Sequence, residues 1–349
     1  MSSRHLDVDD HERYERPRRH TRPRTKQRPA HAEARSAFVI TVARGRYSCL
    51  VDSDGAAVPV AAMKSRSLGR HGVVVGDRVR LVGDTSGADG TLARIVAVEP
   101  RATVLRRAAD DTDSVERAVV ANADQLVIVM AVADPPPVPR LIDRCLVAAY
   151  DGDLDPVLCL TKHDLGDAAD VVTAYRPLGL RTVRVSRAEG DDGFAELRGV
   201  LTGRTSVLFG QSGVGKSTLV NRLVPGATRA TGAVTALGKG SHTSSSVIAL
   251  PLPDGGWVID TPGVRSFGLG HVTPETLLQA FPELQPGTVD CLPGCDHLTD
   301  DFCGLDKLVA AGLAPPERLA SYRRLLTSRE GEGEEAPGQS SETVPPLRQ

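Results

Sequence analysis

Gly210-Gln211-Ser212-Gly213-Val214-Gly215-Lys216-Ser217-Thr218 has the residue types of a phosphate cradle. In the spacing G-x-x-x-x-G-K-[ST], a backbone with little side-chain bulk wraps closely, so successive amide N–H groups point at phosphate oxygens. A helix N-terminus behind the loop adds its positive dipole end. In such a loop Lys216 bridges the terminal phosphates and the Ser217 hydroxyl sits on Mg²⁺. A second stretch, Thr161-Lys162-His163-Asp164, has the chemistry to read a purine. Asp164 can accept two hydrogen bonds from a guanine N1–H and 2-amino group, which adenine does not present, while the Lys162 stem covers the base. A site built around polar partners rejects an analogue that lacks them by large factors. Ser186, at the end of a later apolar run, would bring a loop whose backbone N–H meets guanine O6. Taken alone, Asp164 reads equally well as a helix N-cap; beside a phosphate cradle it reads as base recognition.

Downstream, Trp257-Val-Ile-Asp260-Thr-Pro-Gly263 ends an apolar run in Asp-x-x-Gly. Asp260 is placed to hold Mg²⁺ through water, and the Gly263 amide to sense a γ-phosphate. Gly238-Lys-Gly-Ser-His242-Thr243-Ser-Ser-Ser246 is polar throughout. Thr243 is its candidate switch threonine on Mg²⁺, with a plain loop as the alternative. Val264 stands where many GTPases carry the glutamine that orients the attacking water, and valine has no group for that task. His242 is therefore the candidate to position the water, or else a loop histidine without catalytic duty. Cys291, Cys295, His297 and Cys303 lie within thirteen positions and make a complete tetrahedral set for Zn²⁺. Four protein ligands leave no open position, so the metal would be structural, contributing on the order of 10 kcal/mol to folding. A redox pair is the alternative.

Composition constrains the elements that must position these groups. The 349 residues suggest two or three domains, and 40% hydrophobic with 25% charged residues is ordinary for a globular chain. Aromatics are only 3%, so the cores must rest on Val, Leu, Ile and Ala. No apolar run is long enough to span a bilayer, and the polar N-terminus lacks a secretory signal. The expected setting is therefore cytoplasmic, where disulfides are rare. Residues 1–36 form a basic arm, an electrostatic tether to nucleic acid or a solubilising tail; residues 329–349 form an acidic tail. Between Ala37 and Arg107, five short β-type runs separated by turns suit a small closed barrel of the oligonucleotide-binding (OB) type. Arg78, Arg80 and Arg94 alternate with apolar positions there. They share an outer face, available to phosphates or simply solvated.

From about Val115 strands alternate with helical patterns. Leu126–Val132 is a continuous apolar run of the kind buried on both faces of a parallel sheet. Strands ending at Leu160, Ser186 and Phe209 deliver the two base loops and the phosphate loop. Helical patterns flank the cysteine cluster, at 274–281 and from Leu305 to about Leu326, the latter carrying Arg318, Arg323 and Arg324.

The order along the chain is base loop, second base loop, phosphate loop, switch, Asp-x-x-Gly. Ordinary GTPases begin with the phosphate loop and end with the base loops. A cyclic permutation leaves the sheet and its site unchanged, since termini often lie close together. With a barrel in front and a Cys/His cluster behind, the chain resembles the circularly permuted GTPases, specifically the ribosome small subunit-dependent GTPase A (RsgA/YjeQ) family, over roughly Ala37 to Leu325. That resemblance implies a multidomain α/β architecture: an OB-type β-barrel at 37–107, a circularly permuted P-loop GTPase domain at 115–270 and a helical zinc-binding domain at 271–328. It implies a GTP hydrolase that cycles between GTP and GDP with Mg²⁺ and carries one structural Zn²⁺. The implied partner is the small ribosomal subunit and its rRNA, late in maturation, with barrel and zinc domain facing RNA and turnover stimulated by the subunit. A monomer without membrane contact is expected.

The chain departs from the family pattern in places. Thr161 replaces the usual Asn and loses an amide that braces the phosphate loop. Ser186 is followed by Arg187 rather than Ala, the first two cysteines stand one residue closer, and only Thr243 remains of a run of threonines. Two other readings have distinct signatures. A P-loop kinase or ATPase has no need of Asp164, and a non-enzymatic RNA-binding scaffold shows no turnover stimulated by ribosomal subunits.

Overall fold

Alternating apolar and polar residues shape the first part of the chain into β1 (Arg35–Ala43), β2 (Arg46–Ser53), β3 (Ala56–Lys64), β4 (Arg78–Val82) and β5 (Ala93–Val98). The computed structural model describes residues 33–329 apart from 44, 54–55, 70–71, 109–115, 227–246, 262–266, 268, 270–271 and 299–301. In β4 the period of two puts Val79 and Leu81 inside while Arg78 and Arg80 face out. The strands pair in the order β1-β2-β3-β5-β4, and β4 closes on β1, so a five-stranded barrel results. Val39, Cys49, Val60 and Ile95 fill it. Arg94 lies exposed opposite Val82, which puts all three arginines on the outer surface; Arg80 approaches Glu99 at 3.9 Å.

A hairpin of β6 (Val104–Ala108) and β7 (Glu116–Ala121) then forms a separate two-stranded sheet. Its strands are short and interrupted by Arg106, Arg107, Glu116 and Arg117, so no apolar period marks them in the sequence. The α/β part follows: β8 (Gln125–Ala131), α1 (Pro139–Asp151), β9 (Asp155–Thr161), α2 (Ala169–Tyr175), β10 (Arg181–Val185), α3 (Ala195–Leu201), β11 (Thr205–Phe209), α4 (Lys216–Leu223), β12 (Ile248–Pro251) and β13 (Trp257–Asp260). The sheet order is β10-β9-β8-β11-β13-β12, parallel except for β12. Every residue of β8 is buried. Leu126, Ile128 and Met130 pack with α1 on one face, and Val127, Val129 and Ala131 pack with α3 and α4 on the other. Each large side chain so buried stabilises by roughly 1.5–3 kcal/mol. Burial also pushes the Cys49 and Cys159 thiols up to about 12, so both act as core residues.

The C-terminal part contains α5 (Pro274–Gln279), α6 (Gly304–Ala310) and α7 (Pro316–Arg329). The single helical pattern expected from Leu305 is thus two helices. Gly312, at φ +71°, supplies the left-handed turn that ends α6, and Pro315-Pro316 cannot continue it but can open the next. α7 is fastened to α1 by a buried polar network. Arg318 donates to Asp143 of α1 at 2.5 Å, to Glu283 and to the Ala280 carbonyl at 2.8 Å. Asp143 also accepts from Tyr175 at 2.8 Å and from Ser321. The guanidinium lies 4.3 Å from the Phe281 ring centroid. The described residues fall in one compact unit beginning at Glu33, and no helix among them is long and apolar enough to cross a membrane.

Candidate active site

Among the described residues, the loops that follow β9, β10 and β11 hang from the C-terminal edge of the parallel strands, where open α/β sheets bind ligands. β11 runs into Gly210, where a Cβ would lie 2.5 Å from the Val129 carbonyl oxygen. Only glycine lets the loop turn that close to β8. Gly213 and Gly215 have φ of +83° and +94°, and α4 begins at Lys216. Val214 is fully buried and anchors the loop from below, while Gln211, Ser212 and Gly213 are exposed. Ser217 and Thr218 stand in the first turn of α4.

The base loop is bonded directly to this cradle. Thr161, 4% exposed, donates its hydroxyl to the Val214 carbonyl at 2.5 Å. The sequence comparison with Asn suggested that a brace was lost here; the threonine hydroxyl supplies one. Lys162 adopts a left-handed φ of 56° and its ammonium donates to the Asp134 carbonyl. Asp164 and Ser186 meet, with the Ser186 hydroxyl donating to the carboxylate at 2.5 Å and accepting from the Ala188 amide at 3.0 Å. That hydrogen bond, followed by one from its own backbone amide, holds the Asp164 carboxyl below its ordinary value. The group therefore stays anionic and acceptor-only at neutral pH. His163 and Glu189 tie the two base loops together at 3.1 Å. A cleft of about 520 Å³ results, lined by Thr161, Lys162, Asp164 and Arg187 at one end and by Gly213 and Thr218 at the other.

At the phosphate end Leu208 of β11 pairs with Asp260 of β13. This register brings the Asp260 carboxylate to 2.8 Å from the Lys216 ammonium, both side chains under one-fifth exposed. Cation and carboxylate thus sit together beside the first turn of α4. His242, Thr243, Gly263 and Val264 fall outside the described residues.

The fourth constellation is separate. Cys291, Cys295, His297 and Cys303 bring one ligand atom each to within 4.8 Å of one another, a set that could hold a metal ion. His297 Nδ1 lies 3.6, 3.5 and 3.6 Å from the sulfurs of Cys291, Cys295 and Cys303. Local devices enforce this. Gly294 and His297 take left-handed φ values of 83° and 61°, the Gly304 amide donates to Cys291 Sγ at 3.3 Å, and Arg323 holds the His297 carbonyl at 2.7 Å.

Sequence reasoning overlooked three interactions: the Thr161 hydroxyl on the phosphate loop, the Ser186 hydroxyl on Asp164, and the burial of Arg318. The first two had a signal, since a small hydroxyl residue stood at each strand end. Arg318 had none, because its partners lie 35 and 175 positions away.

Known proteins share this arrangement. The family model described as RsgA GTPase matches residues 98–270. Proteins named small ribosomal subunit biogenesis GTPase RsgA are similar over most of the chain. One from Chromohalobacter salexigens is 40% identical over 265 residues, 73% of this chain and 75% of its own. One from Burkholderia pseudomallei is 36% identical over 82% of this chain and 90% of its own. Among solved structures, YjeQ from Thermotoga maritima is 26% identical with a TM-score of 0.64, covering 86% of this chain and all of its own. YloQ, described as a circularly permuted GTPase, shares the fold at 23% identity and a TM-score of 0.62, covering 89% of this chain and all of its own. With the permuted loop order on one parallel sheet and relatives of this similarity over most of its length, the chain belongs to the RsgA family of GTPases, which are GTP hydrolases.

Proposed function

We propose that this protein binds GTP with Mg²⁺ in the cleft between residues 161–164 and 210–218 and hydrolyses it while docked on the small ribosomal subunit, late in the subunit's maturation. The observation that carries the reading is the hydrogen bond from Thr161 to Val214, which makes the purine loop and the phosphate loop one rigid receptor. The relatives' name, small ribosomal subunit biogenesis GTPase, suggests the ribosomal partner.

In this reading Asp164 accepts from the guanine N1–H and 2-amino group, and Lys162 covers the base. Ser186 keeps the carboxylate charged and aimed, while Thr161, His163 and Ser186 hold the loops that shape the pocket. The amides of 211–218 and the Lys216 ammonium meet the phosphates. Ser217 and Asp260 would hold Mg²⁺, joined by Thr243, and the ion would supply positive charge against the phosphates. Lys216 and Asp260 then exchange their mutual pairing for ligands of opposite sign. Gly263 senses the γ-phosphate and His242 positions the attacking water, assignments that rest on sequence alone. Valine at 264 makes the free protein slow, so stimulation by the subunit is expected.

The Cys/His set fits Zn²⁺. Zn–S near 2.3 Å and Zn–N near 2.0–2.1 Å at tetrahedral angles give S···N edges of about 3.5 Å, against 3.5–3.6 Å here. We assign domains at 37–107, 115–270 and 271–328, a monomeric state and a cytoplasmic setting. The decisive experiment is phosphate release from GTP and from ATP, with and without purified small subunits. GTP-selective release that rises with subunits is the expected result. Equal use of ATP overturns the base assignment, and indifference to subunits overturns the partner.

A further inference from the structure

Arg187 lines the base end of the cleft together with Lys162 and Asp164. Its place is fixed by its neighbour. Ser186 is 1% exposed; its hydroxyl donates to the Asp164 carboxylate at 2.5 Å and accepts from the Ala188 amide at 3.0 Å. The Gly190 amide closes the turn by donating to the Arg187 carbonyl at 3.3 Å. The Arg187 side chain is exposed, and among the described residues it has no hydrogen bond or ion pair. Glu189, the acid next along the turn, is engaged by His163 at 3.1 Å.

The rim of guanine decides what such a donor set can meet. In order it presents the 2-amino group, N1–H, O6 and N7, two donors followed by two acceptors. With both donors on Asp164 and O6 on an amide of the Ser186 loop, N7 still needs a donor. The other side-chain donors at this end are committed. The Thr161 hydroxyl is given to the Val214 carbonyl, the Lys162 ammonium is drawn away to the Asp134 carbonyl, and the Ser186 hydroxyl is given to Asp164. Arg187 is the donor left over, one residue beyond the loop that faces O6. Its guanidinium carries parallel N–H groups in a rigid fork, a shape that meets N7 and O6 of one guanine together.

We propose that Arg187 is a second guanine-specificity residue, whose guanidinium donates to N7 and O6 of the bound base. The inference rests on the guanine-binding reading above. It gives the two edges of the base to two loops: Asp164 reads the N1–H and 2-amino edge, and Arg187 reads the N7 and O6 edge. Adenine also has N7, but it carries an amino donor where guanine has O6, so against adenine one arm of the fork faces another donor. The alanine of the family pattern at this position offers no such contact.

Changing one atom of the ligand tests this. Full-length protein with Mg²⁺ is titrated with GTP, 7-deaza-GTP, ITP and ATP in competition with a fluorescent GDP, for the parent and for Arg187→Ala. In 7-deaza-GTP a C–H replaces N7 and every other polar group of the base is kept. The parent should bind it about five- to tenfold more weakly than GTP, the low end for an arginine fork on guanine because the site is open to water. Arg187→Ala should lose about that same factor on GTP and on ITP, which lacks only the 2-amino group. On 7-deaza-GTP it should stay within about twofold of the parent, since most of the contact is already gone. The side chain is exposed and unpaired among the described residues, so the variant should fold with an unchanged Tm. A parent indifferent to N7 overturns the proposal. So does an Arg187→Ala variant that weakens GTP and 7-deaza-GTP by one common factor, the behaviour of a charge that merely attracts the triphosphate or lies on the ring face. If the parent binds ATP as well as GTP, the guanine reading itself falls, a different outcome from a GTP-selective parent that ignores N7.

Discussion

Replacing Thr161 by Val removes one hydroxyl and leaves a side chain of similar shape. The residue is 4% exposed at the end of β9, whose backbone ladder to β8 and β10 is untouched by the change. What disappears is the 2.5 Å donor to the Val214 carbonyl. An acceptor stripped of its donor in a shielded position costs about 1–3 kcal/mol. Val214 is buried and lies between the two left-handed glycines of the cradle, so its carbonyl can find water only by rotating the peptide that carries the phosphate-facing amides. A bound triphosphate must then restore the loop, and the loss appears in affinity. At about 1.4 kcal/mol per factor of ten, the expected effect is a 5- to 150-fold rise in the Kd for GTP. Thr161→Ser keeps the hydroxyl and stays within about threefold of the parent, and Thr161→Asn offers an amide for the same carbonyl. Titration with a fluorescent GTP analogue, alongside Tm measured with and without nucleotide, reads both effects. Affinity within twofold of the parent for Thr161→Val would refute the brace, and a lower Tm with unchanged Kd would reduce Thr161 to a residue of the fold.

Arg318→Leu strands Asp143 and Glu283 in a buried site; removing one member of a buried pair costs about 3–5 kcal/mol, readable by urea denaturation, and additional Asp143→Leu and Glu283→Leu changes should recover most of it. A loss under 1 kcal/mol would show the network to be ornamental. Stripping the metal with a strong chelator should melt the turns between Cys291 and Cys303 and the start of α6, seen by circular dichroism, while GTP affinity is kept because the cleft is built from other residues; protein that purifies with no metal contradicts the zinc assignment. The Asp164 carboxyl sits below its ordinary value, so its charged, acceptor form persists above that range and is lost as pH falls through the lowered value. GTP affinity should therefore hold through mildly acidic pH, and Ser186→Ala, which removes the largest cause of the lowering, should shift the loss to higher pH. Coincident pH profiles for the two proteins would exclude that coupling.

Much of the site could be read from residues because it depends on strand ends. Once the apolar runs closing at Leu160, Val185, Phe209 and Ile259 are placed in one parallel sheet, their loops must share an edge, whatever their order in the chain. The barrel was legible for a related reason, since a period of two in β4 sorts valine from arginine without knowledge of the partner strands. β6 and β7 lacked that signal, because Arg106, Arg107 and Glu116 interrupt the alternation. Arg318 misled in the opposite sense. A helix bearing several arginines looks like a basic face, yet this one is buried against Phe281, Asp143 and Glu283. A guanidinium's location depends on carboxylates far away in sequence, and no local pattern records them.

The permuted order has a mechanical consequence that the anchoring contacts make concrete. β12 resumes immediately after the segment containing His242 and Thr243, and its first residue, Ile248, pairs with Thr41 of the barrel. Trp257 at the start of β13 packs its ring 5.0 Å from that of Phe38. The strand pair that follows the proposed switch is thus tied to the barrel. On the other side, the chain beyond Asp260 brings Phe267 to 4.4 Å from Phe209, the residue just before the cradle, and Arg144 of α1 holds the Phe267 carbonyl at 2.8 Å. From there it enters the helices that Arg318 locks to α1. A GTPase with the usual order has free ends elsewhere and must signal through loop surfaces. Here the described chain on either side of the proposed γ-phosphate-sensing stretch is spliced into other packed elements, so closing on nucleotide would pull on the barrel through β12 and on the C-terminal helices through Phe267. Phe267→Ala should therefore uncouple subunit release from hydrolysis more than it slows hydrolysis itself. Single-turnover phosphate release and subunit dissociation, measured on one sample, decide it, and equal slowing of the two would mean that the ring merely supports the cradle.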